Sequence, residues 1–256
     1  MLLSSTLLAG LVWEFGFVNR TRSDLDQLVE TQQGVRAALS SISQEMRQAG
    51  ACLPRTGDMV AINGSNSGAR DELTLRIGKV EADDLVCIRS VLTAKALKGA
   101  SIVKVQDGSG FGVGELVYLR GGSGTGRNFE VVSINSNTIS LDEPLNAEYP
   151  AGSGLYAIEE RSYAIDHQAD PPILTVAIDG GDPSPLVHGV ERFNVTYLTA
   201  PCPPCAAINA PAVGDEDWLL VREVEIEVTV RARRPSRGGE YVRITSRTHV
   251  SPRNLL

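Results

Sequence analysis

The pattern of apolar and polar positions divides this chain into three stretches. Residues 1–17 are mainly apolar and read MLLSSTLLAGLVWEFGF. Residues 19–50 contain no proline and carry apolar side chains at intervals of three, four and seven, which places them on one face of a helix. Those side chains are Leu25, Leu28, Val35, Leu39, Ile42 and Met46. Gly50 is the predicted end of the helix, because glycine favours the position after a last helical turn and Pro54 follows.

After Ala51 the helical period gives way to short alternating segments separated by glycine, asparagine, aspartate and proline, which predict strands and turns. The predicted strands are Leu73–Ile77, Leu85–Arg89, Leu116–Leu119, Phe129–Ile134, Thr138–Leu141, Leu155–Ile165, Ile173–Ile178, Phe193–Leu198, Val221–Ala232 and Tyr241–Val250. The last two are the best defined, and the turn between them predicts an antiparallel hairpin. The predicted fold class is α+β, with one long N-terminal helix packed on antiparallel sheet and an inserted β module.

The same pattern predicts how the chain is organised. Residues 1–18 form the apolar half of the helix, 19–50 its amphipathic half, and 51–256 a β-rich globular domain with an inserted module at about 108–163. The apolar run is at the lower limit for crossing a bilayer core of roughly 30 Å at 1.5 Å per residue. A secretory signal peptide is the alternative, but no Lys or Arg precedes Arg20 and the run passes without a break into helix-forming sequence.

Composition and candidate chemistry point away from catalysis. The net charge of −7 argues against a general nucleic-acid binder, which is usually basic. The glycine runs GSGFGVG and GGSGTG precede predicted strands, whereas phosphate-binding glycine turns open helices. His167, His188 and His249 lie far apart with no nucleophile motif around them, and the acidic loops lack the spacing of an EF-hand. We therefore expect no enzyme activity, no cofactor and no metal site.

A basic cluster near the C-terminus has two interpretations. Arg231, Arg233, Arg234 and Arg237 surround a predicted hairpin turn. They form either a solvated turn that discourages edge pairing or a contact for anionic lipid, DNA or an acidic neighbouring subunit. A single adjacent aromatic residue, Tyr241, gives weak support to a nucleic-acid surface.

One stretch of the helix resembles a known family. The segment TQQGVRAALSSISQEMRQAG, residues 31–50, closely resembles the corresponding helix of the PilW-like minor pilins of type IV pili. Further short matches to that family follow in the same order: VGELV, FEV, NTISL, PLVHGVERFNVTYL and the closing RARRPS with THVSPRNLL. The resemblance covers nearly the whole chain in scattered segments, and their order adds to its specificity.

The resemblance implies a filament subunit. Such a subunit is held in the inner membrane by its apolar helix, with the globular domain in the periplasm, and is extracellular once the pilus is assembled. Its partners would be other minor pilins, the major pilin and the inner-membrane assembly platform, in a complex that primes filament growth, with a place at the tip as one expectation. The residues implied in helix packing and membrane contact are Leu7, Leu8, Leu11, Val12 and Phe15. Glu14 is expected at the membrane interface or paired with a neighbouring subunit's cation.

Two other functions fit the same resemblance. The first is a minor pseudopilin of a type II secretion system, similar to GspJ. The second is an adhesin or ligand-binding module at a filament tip, in which the inserted module grips a surface.

The N-terminus departs from the pilin pattern. Pilins carry a short basic leader, a glycine cleavage site and then Phe-Thr-Leu-x-Glu, and none of these precedes Met1. We expect that the start codon lies upstream or that the chain is a shortened form, with Met1 as an internal methionine.

The four cysteines are Cys52, Cys87, Cys202 and Cys205, and an even number in an exported domain predicts two disulfides with three possible pairings. The favoured pairing joins Cys52 to Cys87 and Cys202 to Cys205. The second pair lies in APCPPCA, for which a structural loop is the leading interpretation. A redox motif and a metal site are the alternatives, because both use the Cys-x-x-Cys spacing.

Overall fold

The computed structural model describes most of the chain from residue 26 onward. The described residues are 26–54, 59–66, 71–81, 86–121, 126–199, 206–208, 216–235 and 239–252. Within them lie one long helix, a short 3-10 helix and two antiparallel sheets, so the fold class is α+β as predicted.

The helix, α1, runs over residues 26–48 in the described part of the chain. Its buried positions follow the predicted stripe and are Val35, Ala38, Leu39, Ile42, Ser43 and Met46. The helix ends where the sequence predicted, since residues 49 and 50 form a turn and Gly50 has a φ of 79°. A left-handed residue just past the last turn is the usual way to end a helix, and glycine adopts it without a Cβ penalty.

The large sheet contains ten of the described strands. They are β1 (Ile62–Ser65), β2 (Glu72–Gly78), β3 (Arg89–Val91), β4 (Ile102–Lys104), β5 (Leu116–Arg120), β6 (Gly126–Asn135), β7 (Thr138–Leu141), β8 (Gly154–Asp166), β9 (Ile173–Ile178) and β10 (Ser184–His188). The main path is β1-β2-β8-β5-β6-β7-β4, while β3 and β9 also pair with β8, and β10 pairs with β9.

The small sheet has the order β12-β11-β13-β14. Its strands are β11 (Val190–Thr199), β12 (Ala206–Ile208), β13 (Val221–Arg231) and β14 (Arg243–Val250), and the 3-10 helix η1 (Glu216–Leu220) precedes β13. The predicted hairpin is confirmed, because β13 and β14 pair antiparallel from Val224↔Val250 to Arg231↔Arg243. Apolar and acidic residues alternate along β13, so one face is buried and the other is solvated.

Strand β8 joins two halves of the structure. Its first residues pair with β3 and β5, and its later residues pair with β2 and β9. Leu155 and Ala157 therefore belong to one apolar cluster, whereas Tyr163 belongs to another. A single long strand thus fixes the orientation of one half relative to the other.

The two main clusters have different compositions. The first contains the buried face of α1 together with side chains from both sheets, such as Leu75, Phe193 and Ile226. The second is built by strands β4 to β8, the segment before β4 and the loops between these strands, from Leu92 to Ala157. The predicted module at 108–163 overlaps the second cluster, and its bounds stay a prediction.

One predicted strand is wrong over most of its described part. The segment Leu85–Arg89 was expected to be a strand, but Cys87 makes only an isolated bridge to Val80 and β3 begins at Arg89. The disulfide of Cys87 explains the difference, because it ties this residue to the end of α1.

We predict that Ile42→Ala destabilises the protein strongly. Ile42 is completely buried between α1 and the sheets, and removing its side chain leaves a cavity that costs about 2–5 kcal/mol. Gln44→Ala, at an exposed position of the same helix, is the control and should change the free energy of unfolding by less than about 0.5 kcal/mol. Urea unfolding measures both values, and equal effects of the two changes would contradict the packing described.

Candidate functional site

Helix α1 is packed on the domain along only part of its described length. No residue from 26 to 34 is buried, whereas Val35, Ile42 and Met46 are 1%, 0% and 0% exposed. Val29 is the clearest sign of this change, since it is apolar and 49% exposed. At 1.5 Å per residue these first turns span about 13 Å. The helix therefore has a docked part, residues 35–48, and an undocked part, residues 26–34.

The docked part also keeps one face open. The exposed residues on that face are Arg36, Ala37, Ser40, Ser41, Gln44, Arg47 and Gln48. They are polar or small, unlike the stripe on the buried face, so α1 lies at the surface of the domain rather than through its centre. The helix can therefore be contacted from outside along its whole described length.

A half-buried polar cluster fastens α1 to β8. The Oε1 atom of Glu45 lies 2.7 Å from Nη1 of Arg161, and the hydroxyl of Tyr163 donates a hydrogen bond to Oε2 of the same carboxylate. Nε of Arg161 also lies 2.5 Å from Oε1 of Glu159. Burial raises the pKa of Tyr163 well above its ordinary value, and the hydrogen bond to Glu45 raises it further. Charge-assisted contacts of this kind fix the rotation of a helix as well as its position.

The end of α1 continues into backbone contacts with β2. The amide of Gly50 donates to the carbonyl of Arg76 at 2.9 Å, and the amide of Gly78 donates to the carbonyl of Ala51 at 2.8 Å. The chain leaving the helix therefore runs along the edge of the sheet before it turns away. At the helix end itself, the amide of Ala51 donates to the carbonyl of Gln48 at 2.8 Å, which satisfies one of the acceptors that the last helical turn leaves without partners.

The disulfide between Cys52 and Cys87 closes this junction, and it confirms the first of the two predicted pairs. The Cα atoms lie 5.4 Å apart and the cysteines are separated by 35 residues. Close approach is possible because position 78 is glycine: a Cβ on Gly78 would lie 2.6 Å from Cβ of Cys52. The disulfide thus holds together the end of α1, strand β2 and the loop before β3.

Several residues implicated by the sequence lie outside the described residues. They are Leu7, Leu8, Leu11, Val12, Glu14, Phe15, Cys202, Cys205 and Arg237. The expectations for helix packing and for the second disulfide therefore stay predictions.

Among the helices of the described ranges, none combines the length and the apolar character that a membrane span requires.

The basic cluster is partly neutralised where it is described. Arg231 pairs with Asp170, lies 4.0 Å from Glu191 and stacks over Tyr241 with its guanidinium carbon 4.7 Å from the ring centre. Arg243 on β14 pairs with Glu191 as well, at 2.6 Å. The solvated-turn interpretation accounts for Arg231, which already has carboxylate partners, and Arg233 and Arg234 are exposed.

The three histidines lie on different elements of the fold. His188 lies in β10 and His249 in β14, where its Nδ1 is 3.3 Å from Glu223. Within the described part of the chain, no group of three or more histidine, cysteine or acidic residues is arranged to hold a metal ion.

The polar cluster around Glu45 was missed by sequence reasoning. Glu45 stands three residues after Ile42, at the border of the apolar stripe, and that position was a usable signal for a carboxylate facing the sheet. Its partners Arg161 and Tyr163 are contributed by a strand more than 100 residues away, so the pairing itself had no local signal.

No protein-family model matches this chain, and no curated protein matches it. Among solved structures, the chain is similar to a type IV-like pilin from Thermus thermophilus, with a TM-score of 0.43 and 14% identity. The match covers 88% of this chain and 98% of that protein. A similarity at this level carries no residue-by-residue correspondence.

We predict that Cys52→Ser combined with Cys87→Ser lowers the free energy of unfolding by about 3–4 kcal/mol. The disulfide closes a loop of 35 residues, and loss of that restraint increases the entropy of the unfolded chain. Denaturant unfolding of the double variant measures the change. Peptide mapping without reductant checks the pairing in the parent protein, and a link from Cys52 to Cys202 would contradict it.

We predict that Tyr163→Phe makes the protein less sensitive to alkaline pH. In the unfolded chain a tyrosine ionises near pH 10, whereas the folded pKa of Tyr163 is higher. Its contribution to stability is therefore complete below about pH 10 and is lost as the pH rises further. Above about pH 10 the parent should lose stability more steeply than Tyr163→Phe, by up to about 1.4 kcal/mol per pH unit. Urea unfolding between about pH 9 and 11 gives both slopes, and equal slopes would contradict the account.

Proposed function

We propose that this chain is a filament subunit of the type IV pilin class, and more specifically a minor pilin of the PilW type. The observation that carries the proposal is the division of α1 into a docked and an undocked part. The resemblance of residues 31–50 to the helix of PilW-like proteins supports the same assignment.

The division of the helix suits assembly because each part has a different task. The docked part holds the globular domain at a fixed orientation through buried apolar side chains and the Glu45 cluster. The undocked part carries an exposed apolar side chain, Val29, that the domain does not cover. Packing against helices of neighbouring subunits removes such apolar surface from water, at about 25 cal/mol per Å². In this proposal the function is assembly rather than chemistry, and no cofactor takes part.

The proposal also names a location and partners. Before assembly the subunit is anchored in the inner membrane with its globular domain in the periplasm, and after assembly it is extracellular. Other minor pilins, the major pilin and the assembly platform are its partners, and the complex primes filament growth. The Cys52–Cys87 disulfide supports an oxidising compartment such as the periplasm.

A minor pseudopilin similar to GspJ is the second candidate. The docked and undocked parts of α1 serve a secretion pseudopilus equally well, because the same helix packing builds its core. The genes beside this one distinguish the two: pilus assembly genes favour the minor pilin, and secretion genes favour the pseudopilin.

The test compares two valine positions in the full chain, tagged and expressed in its own host. Val29→Arg places a charge on the undocked part of α1, whereas Val132→Arg places it on β6, where the native valine is similarly exposed at 54%. We expect Val29→Arg to reduce the tagged protein in the sheared filament fraction at least about tenfold, because burying an unpaired charge between helices costs several kcal/mol. Val132→Arg should leave that amount unchanged.

The membrane fraction provides the control for this test. Both variants should accumulate there to the level of the parent, since neither residue is buried in the domain. Equal recovery of both variants in the filament fraction, or absence of the parent from it, would contradict the proposal.

A further inference from the structure

A polar cleft lies on the face of the large sheet opposite α1. Its volume is about 200 Å³, and its walls include Asn63, Arg76, Tyr118 and Asn128. Met59 and Trp218 close it from the loop before β1 and from η1. Nothing in the proposed filament function uses this cleft.

The strand register explains why these residues converge. Asn63 pairs with Thr74, two residues before Arg76, so both side chains share one face of the sheet. Arg76 pairs with Glu160 on β8. Because side chains alternate between the two faces along a strand, Tyr156, four residues before Glu160, lies on the same face. Tyr156 pairs with Tyr118, which pairs in turn with Asn128. The two asparagines therefore stand on opposite sides of one concave surface.

The two asparagines have hydrogen-bonding groups that the protein does not use. Within the described part of the chain, the side-chain oxygens of Asn63 and Asn128 are buried and have no hydrogen-bond partner. Native proteins rarely leave such groups unpaired, and two that line one cleft point to a partner from outside the chain.

The charges around the cleft point to a neutral partner. Nε of Arg76 lies 2.7 Å from Glu160, and its Nη1 donates to the carbonyl of Val60 at 2.9 Å. Arg127, at the rim, pairs with Glu143. Each cation is therefore already matched by a carboxylate, and a phosphate or sulfate group would meet Glu160 as well as Arg76.

We propose that this cleft binds a neutral saccharide unit. A hydroxyl both donates and accepts hydrogen bonds, so it pairs with a carboxamide whichever way the amide is turned. The faces of sugar rings are apolar on their C–H side, which suits contact with Met59 and the ring of Tyr118. The volume of the cleft accommodates about one sugar ring, and a longer glycan would extend from its open side.

The experiment uses the full chain in a detergent without a sugar headgroup. In a Trp13→Phe background Trp218 is the remaining tryptophan of the chain, so its fluorescence reports on the cleft. The probes are the methyl glycosides of glucose, galactose, mannose and N-acetylglucosamine, with glucose 6-phosphate as the anionic comparison. We expect saturable binding of at least one neutral glycoside.

Asn63→Leu and Asn128→Leu test which residues bind. Each should weaken binding of that glycoside at least about tenfold, the effect of losing a hydrogen bond worth about 1.4 kcal/mol. Asn135→Leu, at an exposed position of the same strand β6, is the matched control and should bind like the parent. The leucine variants should unfold at the same temperature as the parent or higher, because each removes an unpaired buried amide.

Thermal unfolding of the parent provides a second measurement that needs no variant. Saturating glycoside should raise its midpoint, since a ligand that binds only the folded state stabilises it, whereas the acyclic polyol sorbitol at equal concentration should not do so to the same extent. The proposal is overturned if no neutral glycoside binds, if only glucose 6-phosphate binds, or if both leucine variants bind like the parent. None of these outcomes bears on filament incorporation, so the two proposals fail separately.

Discussion

Helix α1 packs against side chains from both sheets in one apolar cluster, and this packing organises the structure. One apolar cluster takes Ile42 and Met46 from the helix, Leu75 from the large sheet and Ile226 from the small sheet. Direct contact between the sheets includes a hydrogen bond of 2.9 Å from the amide of Val195 to the buried carboxylate of Asp71. Because the helix packs against both sheets, an element near the start of the chain is central to this core.

The same packing separates the tasks of the molecule. The docked part of α1 is committed to the core, and the Glu45 cluster and the Cys52–Cys87 disulfide prevent it from turning or sliding. The undocked part is left free for other contacts. The second apolar cluster surrounds the first residues of β8 and does not include the helix. The loops and surfaces around this second cluster can therefore vary, or bind a ligand, without disturbing the helix.

Local sequence patterns predicted those elements whose own residues indicate their structure. The stripe from Val35 to Met46, the glycine at position 50 and the alternation along β13 were all readable, and the structure has each of them. Two of the missed strands contain residues that usually mark turns, Asn63 and Gly64 in β1 and Pro185 in β10. Those strands form because a neighbouring strand offers a partner. The Glu45 cluster and the cleft depend on strand register across distant segments, which no local pattern contains.

The most direct test of this account is the accessibility of the undocked part of α1 before and after assembly. A cysteine introduced by Val29→Cys in the full chain is treated with a membrane-impermeant maleimide, once in the isolated subunit and once in sheared filaments, with the unsubstituted chain as background. The account predicts labelling in the isolated subunit, where Val29 is half exposed, and strong protection in filaments. Equal labelling in both states would contradict it, because neighbouring subunits would then leave the undocked part of the helix uncovered.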